Sequence, residues 1–242
     1  MPEFSDKEIK IVSAPDNDKP YVIIDKPHGL PSAPISENDK NNALSKACEI
    51  YPEINNVHGK KEIEKGLVHR LDTVTKGLLL IATTQDFYDK ITKLQNEGKF
   101  IKYYKALCNI NAENVLHFEG FPALNRENVI QIKENFETTV SSYFRPFGKG
   151  NKEVRPVTKN SSTAALKKLK NPVLYETTIK IISANKEKNQ CEVLCKISKG
   201  FRHQVRNHLA WIGLPVINDP VYNCESIGTE KEIEFEAVKL EF

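Results

Sequence analysis

The chain has 242 residues, 39% of them hydrophobic and 28% charged, with a formal net charge of +3. That length is ample to bury a core in one large domain or two small ones, and the composition suits a globular protein. So small a net charge does not announce a nucleic-acid binder, and no run of about 18 apolar residues is available to cross a membrane.

The amino terminus, Met1-Pro2-Glu3-Phe4-Ser5-Asp6-Lys7-Glu8, lacks the basic-then-apolar pattern of a signal peptide. Residues 1–18 are polar and expected to be flexible, leaving 19–242 as the folded domain. Tyr21-Val22-Ile23-Ile24-Asp25-Lys26 reads as a strand stopped by Pro27 and turned by Gly29. Ala43 to Tyr51 reads as a short helix, with Asn42 as N-cap and Pro52 as its end. Next comes Gly66-Leu67-Val68-His69-Arg70-Leu71-Asp72-Thr73-Val74-Thr75-Lys76-Gly77-Leu78-Leu79-Leu80-Ile81-Ala82, which alternates first and then runs apolar. The run is a buried strand. If 67–72 is extended, Val68, Arg70 and Asp72 share a face, with Asp72 roughly 7 Å from Arg70. On spacing alone, Asp72 is best read as capping the turn that follows it.

Thr83 or Thr84 can cap a second helix with Asp86 in its first turn, Phe87, Ile91 and Leu94 on one face, and Gly98 as its stop. Phe100 to Cys108 is β-branched and aromatic, a strand. Residues 113–144 suggest two or three antiparallel strands. From Ser141 to Lys170 the bases Arg145, Lys149, Lys152, Arg155, Lys159, Lys167, Lys168 and Lys170 face Glu153 alone. This is read as a basic loop, either a footprint for phosphate contacts or a solvated, mobile stretch. Leu174–Ser183 and Gln190–Ser198 pair as a hairpin, a helix starts at Phe201, and a last strand spans 233–242. In that helix Phe201, Val205, Leu209 and Ile212 share a face, with Arg202 and Arg206 one turn apart on a flank. The pattern is α+β, a large mostly antiparallel mixed sheet with a few flanking helices.

Five cysteines, Cys48, Cys108, Cys191, Cys195 and Cys224, are odd in number and form no Cys-x-x-Cys. Cys191 and Cys195, in an expected strand, stand roughly 13 Å apart, too far to bridge or share a metal without bending. Reduced thiols and a cytoplasmic location are expected. His69, His203 and His208 have no carboxylate or Cys partner at ligand spacing, so no metal is expected.

Four segments together resemble the RluA-type pseudouridine synthases. The segment around His69-Arg70-Leu71-Asp72 is similar to that family's HRLDxxTSGLLL. Gly200-Phe201-Arg202-His203-Gln204-Val205-Arg206-Asn207-His208-Leu209-Ala210 is similar to GRxHQIRxHLA. Asp219-Pro220-Val221-Tyr222 resembles GDPxY, and Asp25-Lys26-Pro27-His28-Gly29-Leu30-Pro31 resembles NKPxGLP. Lys102, Tyr104 and Ala106 fall on Lys-x-Tyr-x-Ala. Ser32 and Ala33 depart from the family, which often has Val-His there, Phe201 replaces a basic or polar residue, and Lys76 replaces a Ser.

The resemblance implies an isomerase that turns uridine in RNA, ribosomal or transfer, into pseudouridine after flipping it. The chemistry needs a carboxylate at the sugar or base, a cation beside it, a surface for the detached base and a group to take the C5 proton. It needs no metal, redox group or nucleotide cofactor. By resemblance Asp72 acts at C1′, as nucleophile or as a base yielding a glycal, and Arg206 pairs with it. Tyr104 stacks on the uracil and takes the C5 proton, and Arg70 helps hold the duplex open. Arg202, Lys76, Lys149, Lys152 and Arg155 are the expected phosphate contacts. Taken without the family, Tyr104 reads as strand packing, Arg206 as a solvated flank or surface salt bridge, and Asp219 as a turn residue. No S4-type RNA-binding domain is evident, and a monomer is expected. Two other classes stay open: a non-catalytic RNA-binding module of the same fold, and a carboxylate-dependent nucleoside or glycoside hydrolase. The last usually needs two catalytic carboxylates.

Overall fold

The strands are Lys10–Ser13 (β1), Tyr21–Lys26 (β2), Lys76–Ala82 (β3), Ile101–Asn109 (β4), Glu137–Phe147 (β5), Glu153–Val157 (β6), Tyr175–Asn185 (β7), Gln190–Ile197 (β8) and Phe235–Glu241 (β9). The α-helices are Ala43–Ile50 (α1), Gln85–Asn96 (α2), Thr163–Lys167 (α3) and Gln204–Trp211 (α4). This computed structural model describes residues 7–110, 119–123, 132–169, 172–227 and 229–242. Contacts divide the chain into two units where the sequence suggests a single domain: Met1–Lys102 with Glu236–Phe242, and Tyr103–Phe235. The α+β class, mostly antiparallel and mixed, is as expected.

In the first unit the strand order is β1-β2-β3-β9. β2 pairs antiparallel with β1 and β3, and β3 pairs parallel with β9. The edge strand β1 corrects the expectation of a flexible stretch over 1–18. Its residues alternate exposed and half-buried, so it is held by backbone pairing to β2 rather than by an apolar face a sequence would advertise. Residues 1–6 lie outside the described residues. Gly77 lies opposite Ala237 with φ +111, where a Cβ would sit 2.3 Å from the Ala237 carbonyl oxygen. Only glycine lets the two strands approach there.

Both helices of this unit start as read. Asn42 accepts from Ser45 N at 2.9 Å, and Thr84 caps α2 by accepting from Phe87 N. The buried face of α2, Phe87, Tyr88 and Ile91, packs with Val57, Val68, Leu80, Ala82 and Phe100. Full burial of each large apolar side chain contributes about 1.5–3 kcal/mol.

In the second unit the order is β4-β8-β7-β5-β6. β7 and β8 form the expected hairpin, with β7 running two residues further, to Asn185. Of the strands expected in 113–144, segments 113–118 and 124–131 lie outside the described residues, and β5 begins only at Glu137. The basic loop is a second correction. Its middle is β6, paired antiparallel to β5, with Val154, Arg155, Pro156 and Val157 all buried. Two charged residues and a proline within five positions hid a strand whose arginine is itself buried.

The helix at 201 is a third correction. His203 adopts a left-handed conformation (φ 58), so α4 starts at Gln204 and Phe201 stacks on Phe144 instead (5.0 Å, 4°). Arg202 and Arg206 therefore do not share a helix flank. All eight residues of α4 are buried, so its polar side chains must find partners inside. His208 bridges Ser142 Oγ (2.9 Å) and Thr177 Oγ1 (2.8 Å), and Gln204 donates to Glu176 O and Thr177 Oγ1.

Burial pushes His208 down to about 3 from 6.5. Between those values the unfolded chain binds a proton that the folded chain refuses, so stability falls as pH drops, by about 1.4 kcal/mol per pH unit for one such group. Urea unfolding at pH 7, 6 and 5 is expected to show a steeper acid loss for wild type than for His208→Gln. Equal slopes would mean that His208 takes up its proton without unfolding.

Candidate active site

Asp72 sits where an irregular strand ends in a turn. Leu67 bridges Ile81, Val68 N donates to Leu80 O (3.3 Å), and His69 Nε2 accepts from Leu80 N (3.3 Å). The chain then leaves the ladder, so the regular face expected for 67–72 does not form: Val68 is buried and Arg70 is exposed. Thr75 N closes the turn onto Asp72 O at 2.9 Å. The Asp72 side chain is half-buried.

Lys26 lies beneath this turn, 0% exposed. Its ammonium donates to Leu30 O (2.7 Å), Pro27 O (3.0 Å) and Thr73 O (3.3 Å), and Gly29 N also donates to Thr73 O (2.8 Å). Burial pushes Lys26 down to about 7, while the Asp72 carboxylate pulls it up. Three carbonyls match the three N–H groups of the charged form. Lys26 thus ties the Pro27–Leu30 loop to the residue after Asp72.

Lys102 is also buried, its ammonium 4.5 Å above the Phe100 ring, and burial takes it down to about 8. Burial, with the charge of Lys102, pushes His69 down to about 3, so His69 is a neutral acceptor for the backbone rather than a proton carrier. His203 Nδ1 bonds the Tyr222 hydroxyl at 2.9 Å. Among the described residues no three His, Cys, Asp or Glu side chains are placed to hold a metal. The outward-facing Arg70 pairs with Glu64 at 3.2 Å, and Lys76 opens β3 half-buried.

In the second unit Tyr104 is 7% exposed and its ring stacks on Phe235, centroids 5.2 Å apart and planes 10° from parallel. Arg206 is no surface residue. It is 1% exposed and grips Asp219 with two bonds, Nε to Oδ2 (2.8 Å) and Nη2 to Oδ1 (2.7 Å). Asp219 is the turn residue its sequence suggests, accepting from Val221 N and Tyr222 N. Its grip on Arg206 is a contact that the sequence pattern does not reveal. The two residues are 13 positions apart across a helix end, a separation that no periodicity marks.

Arg155 is 4% exposed and fully engaged: with Glu153 at 2.7 Å, with Glu119 O and Val154 O, and over the Phe147 ring at 4.2 Å. Arg202 donates to Asn151 O and to Glu153 O. The outward charge of this hairpin falls to Lys149 and Lys152, exposed in a connection that turns through Gly148, Gly150 and Asn151, all with positive φ.

Breaking a buried bidentate ion pair leaves a bare charge inside, at about 3–5 kcal/mol. Asp219→Ala is expected to lose that much stability in urea unfolding; a loss under about 1 kcal/mol would show that water reaches the pair.

An uncharacterized RNA pseudouridine synthase of Mycoplasma pneumoniae is 27% identical over 212 residues, 86% of this chain and 54% of the relative. The tRNA pseudouridine(31) synthase of Saccharomyces cerevisiae is 28% identical over 214 residues, 87% of this chain and 46% of the relative. This chain therefore spans about half the length of the curated relatives it matches. Among solved structures, human RNA pseudouridylate synthase domain containing 1 superposes with a TM-score of 0.65 at 16% identity, over 99% of this chain and 80% of that one, a likeness of fold. The sequence profile of the RNA pseudouridylate synthases matches residues 20–211, and the chain belongs to that family, in its RluA-type branch.

Proposed function

We propose that this chain converts a uridine in structured RNA, ribosomal or transfer, into pseudouridine, acting as a cytoplasmic monomer. The observation that carries the reading is Asp72: it stands at the aspartate of the HRLD segment, inside the matched region, on a turn whose backbone is held from below by Lys26 and Gly29. In the reaction the N1–C1′ bond breaks, the base turns, C5 bonds to C1′, C5 gives up its proton and N1 gains one. Asp72 acts at C1′, by attack or by taking a sugar proton. Tyr104, one face already against Phe235, supports the base and takes the C5 proton. Arg206 supplies the cation for Asp72, on the strength of the HQVR match, with Asp219 setting the plane of its guanidinium. Arg70, Lys76, Arg202, Lys149 and Lys152 contact the RNA, and Arg155 stiffens the hairpin that carries the last two.

The relatives' names point two ways, to transfer RNA in the yeast protein and to the large ribosomal subunit in a Buchnera aphidicola protein 26% identical over 213 residues. Both classes therefore belong in the assay.

RNA labelled with tritium at uridine C5 tests the reaction. The expected result is release of tritium with the strand intact. Free uracil would mean a hydrolase, and no release from either RNA class would mean a binding module.

RNA affinity is expected to fall steeply with salt, because each Lys or Arg on a phosphate releases counterions. Replacing Lys149 and Lys152 with Gln should flatten the slope of log affinity against log salt by about one to two. An unchanged slope would place the RNA on another face.

A further inference from the structure

The residue before Asp72 is held as firmly as the residue after it, by a side chain outside the motif. Ser32 is 3% exposed, and its hydroxyl makes two bonds to a single residue. It accepts from Leu71 N at 2.9 Å and donates to Leu71 O at 2.7 Å. A hydroxyl has one proton and two lone pairs, so this arrangement fixes its orientation. Ser32 is in turn anchored to α1: Ala43 N donates to Pro31 O (2.8 Å) and Leu44 N to Ser32 O (3.2 Å). The path is short and buried, from the first turn of α1 through Ser32 to Leu71. On the other side of Asp72, Lys26 and Gly29 hold Thr73 O.

We propose that Ser32 is a positioning residue for Asp72, fixing its carboxylate through the Leu71 peptide and so setting the rate of the chemical step. The proposal rests on the reading of Asp72 as the catalytic carboxylate. The side chain of Asp72 leaves a backbone whose orientation depends on the Leu71 and Thr73 peptides, and a misplacement of about 1 Å can cost about a hundredfold in rate. Ser32 touches no reacting atom. An apolar side chain at this position could make neither bond, so the clamp depends on the Ser32 hydroxyl. A device of this kind acts on the chemical step and not on RNA affinity, because Ser32 is buried and offers the RNA nothing.

The test uses the full chain and RNA that contains the substrate uridine. Single-turnover rate at saturating RNA, RNA dissociation constant and thermal midpoint are measured for wild type, Ser32→Ala, Ser32→Thr and Asp72→Asn. Ser32→Ala is expected to slow the rate per folded molecule at least tenfold with the dissociation constant within twofold of wild type. Ser32→Thr, which keeps the hydroxyl, is expected to recover to within threefold. A Ser32→Ala rate within twofold of wild type overturns the proposal, as does a loss that tracks the folded fraction or the RNA affinity. Should the Ala variant not fold, Ser32→Cys, with a weaker hydrogen-bonding group, must show the same split between rate and affinity, or the proposal fails. Asp72→Asn separates the two readings. Turnover there overturns the role of Asp72 itself, whereas its loss beside an unchanged Ser32→Ala rate overturns only the role of Ser32.

Discussion

Backbone satisfaction around Asp72 is the constraint on which the first unit depends. Three successive carbonyls are taken up inside the protein: Leu71 O by Ser32, Asp72 O by Thr75 N, and Thr73 O by Lys26 and Gly29. Each bond contributes only about 1 kcal/mol net, but a buried group left unpaired costs about 1–3 kcal/mol. The turn and the 26–32 loop therefore form together or not at all. The arrangement explains why β2 ends in a lysine rather than an apolar residue. Lys26 continues the buried face begun by Val22 and Ile24, and its ammonium emerges at the carbonyls of the loop. The cost of burying that charge is visible in its lowered pKa, and it is offset by three acceptors and the nearby Asp72 carboxylate.

The second unit applies the same rule to a helix. α4 buries Gln204, Arg206, Asn207 and His208 on every side, a pattern that would be ruinous without partners. Arg206 has Asp219, His208 has Ser142 and Thr177, Gln204 has Thr177 and the Glu176 carbonyl, and Asn207 donates to Val154 O. A buried ion pair adds little net stability over an apolar replacement. What the Arg206–Asp219 pair supplies is orientation: two parallel bonds fix the plane of the guanidinium, which a lysine could not do.

Elements carried by periodicity and caps were legible in the sequence. β2, α1 and α2 stand within a residue of their expected bounds, because alternation, Asn42 and Thr84 are local signals. Elements held by distant backbone or by buried charge were not. β1 has no apolar face, β6 hides a buried arginine among lysines, and the start of α4 is delayed by one left-handed residue, His203. The candidate site divides the same way. The motifs mark Asp72, Tyr104 and Arg206 as residues, but not what holds them. The Asp219 grip on Arg206 and the Ser32 clamp on Leu71 are contacts across 13 and 39 positions, and neither has a one-dimensional signature.

The backbone that carries the Asp72 carboxylate is bonded in place in the free chain. Amide hydrogen exchange in the free protein reads this directly at Leu71, Gly29 and Thr75, whose N–H groups bond Ser32 Oγ, Thr73 O and Asp72 O. Strong protection is expected at all three without RNA, with little gain when RNA is added. Exchange at the rate of an unstructured peptide in the free protein, with protection appearing only on RNA binding, would contradict a backbone fixed in advance.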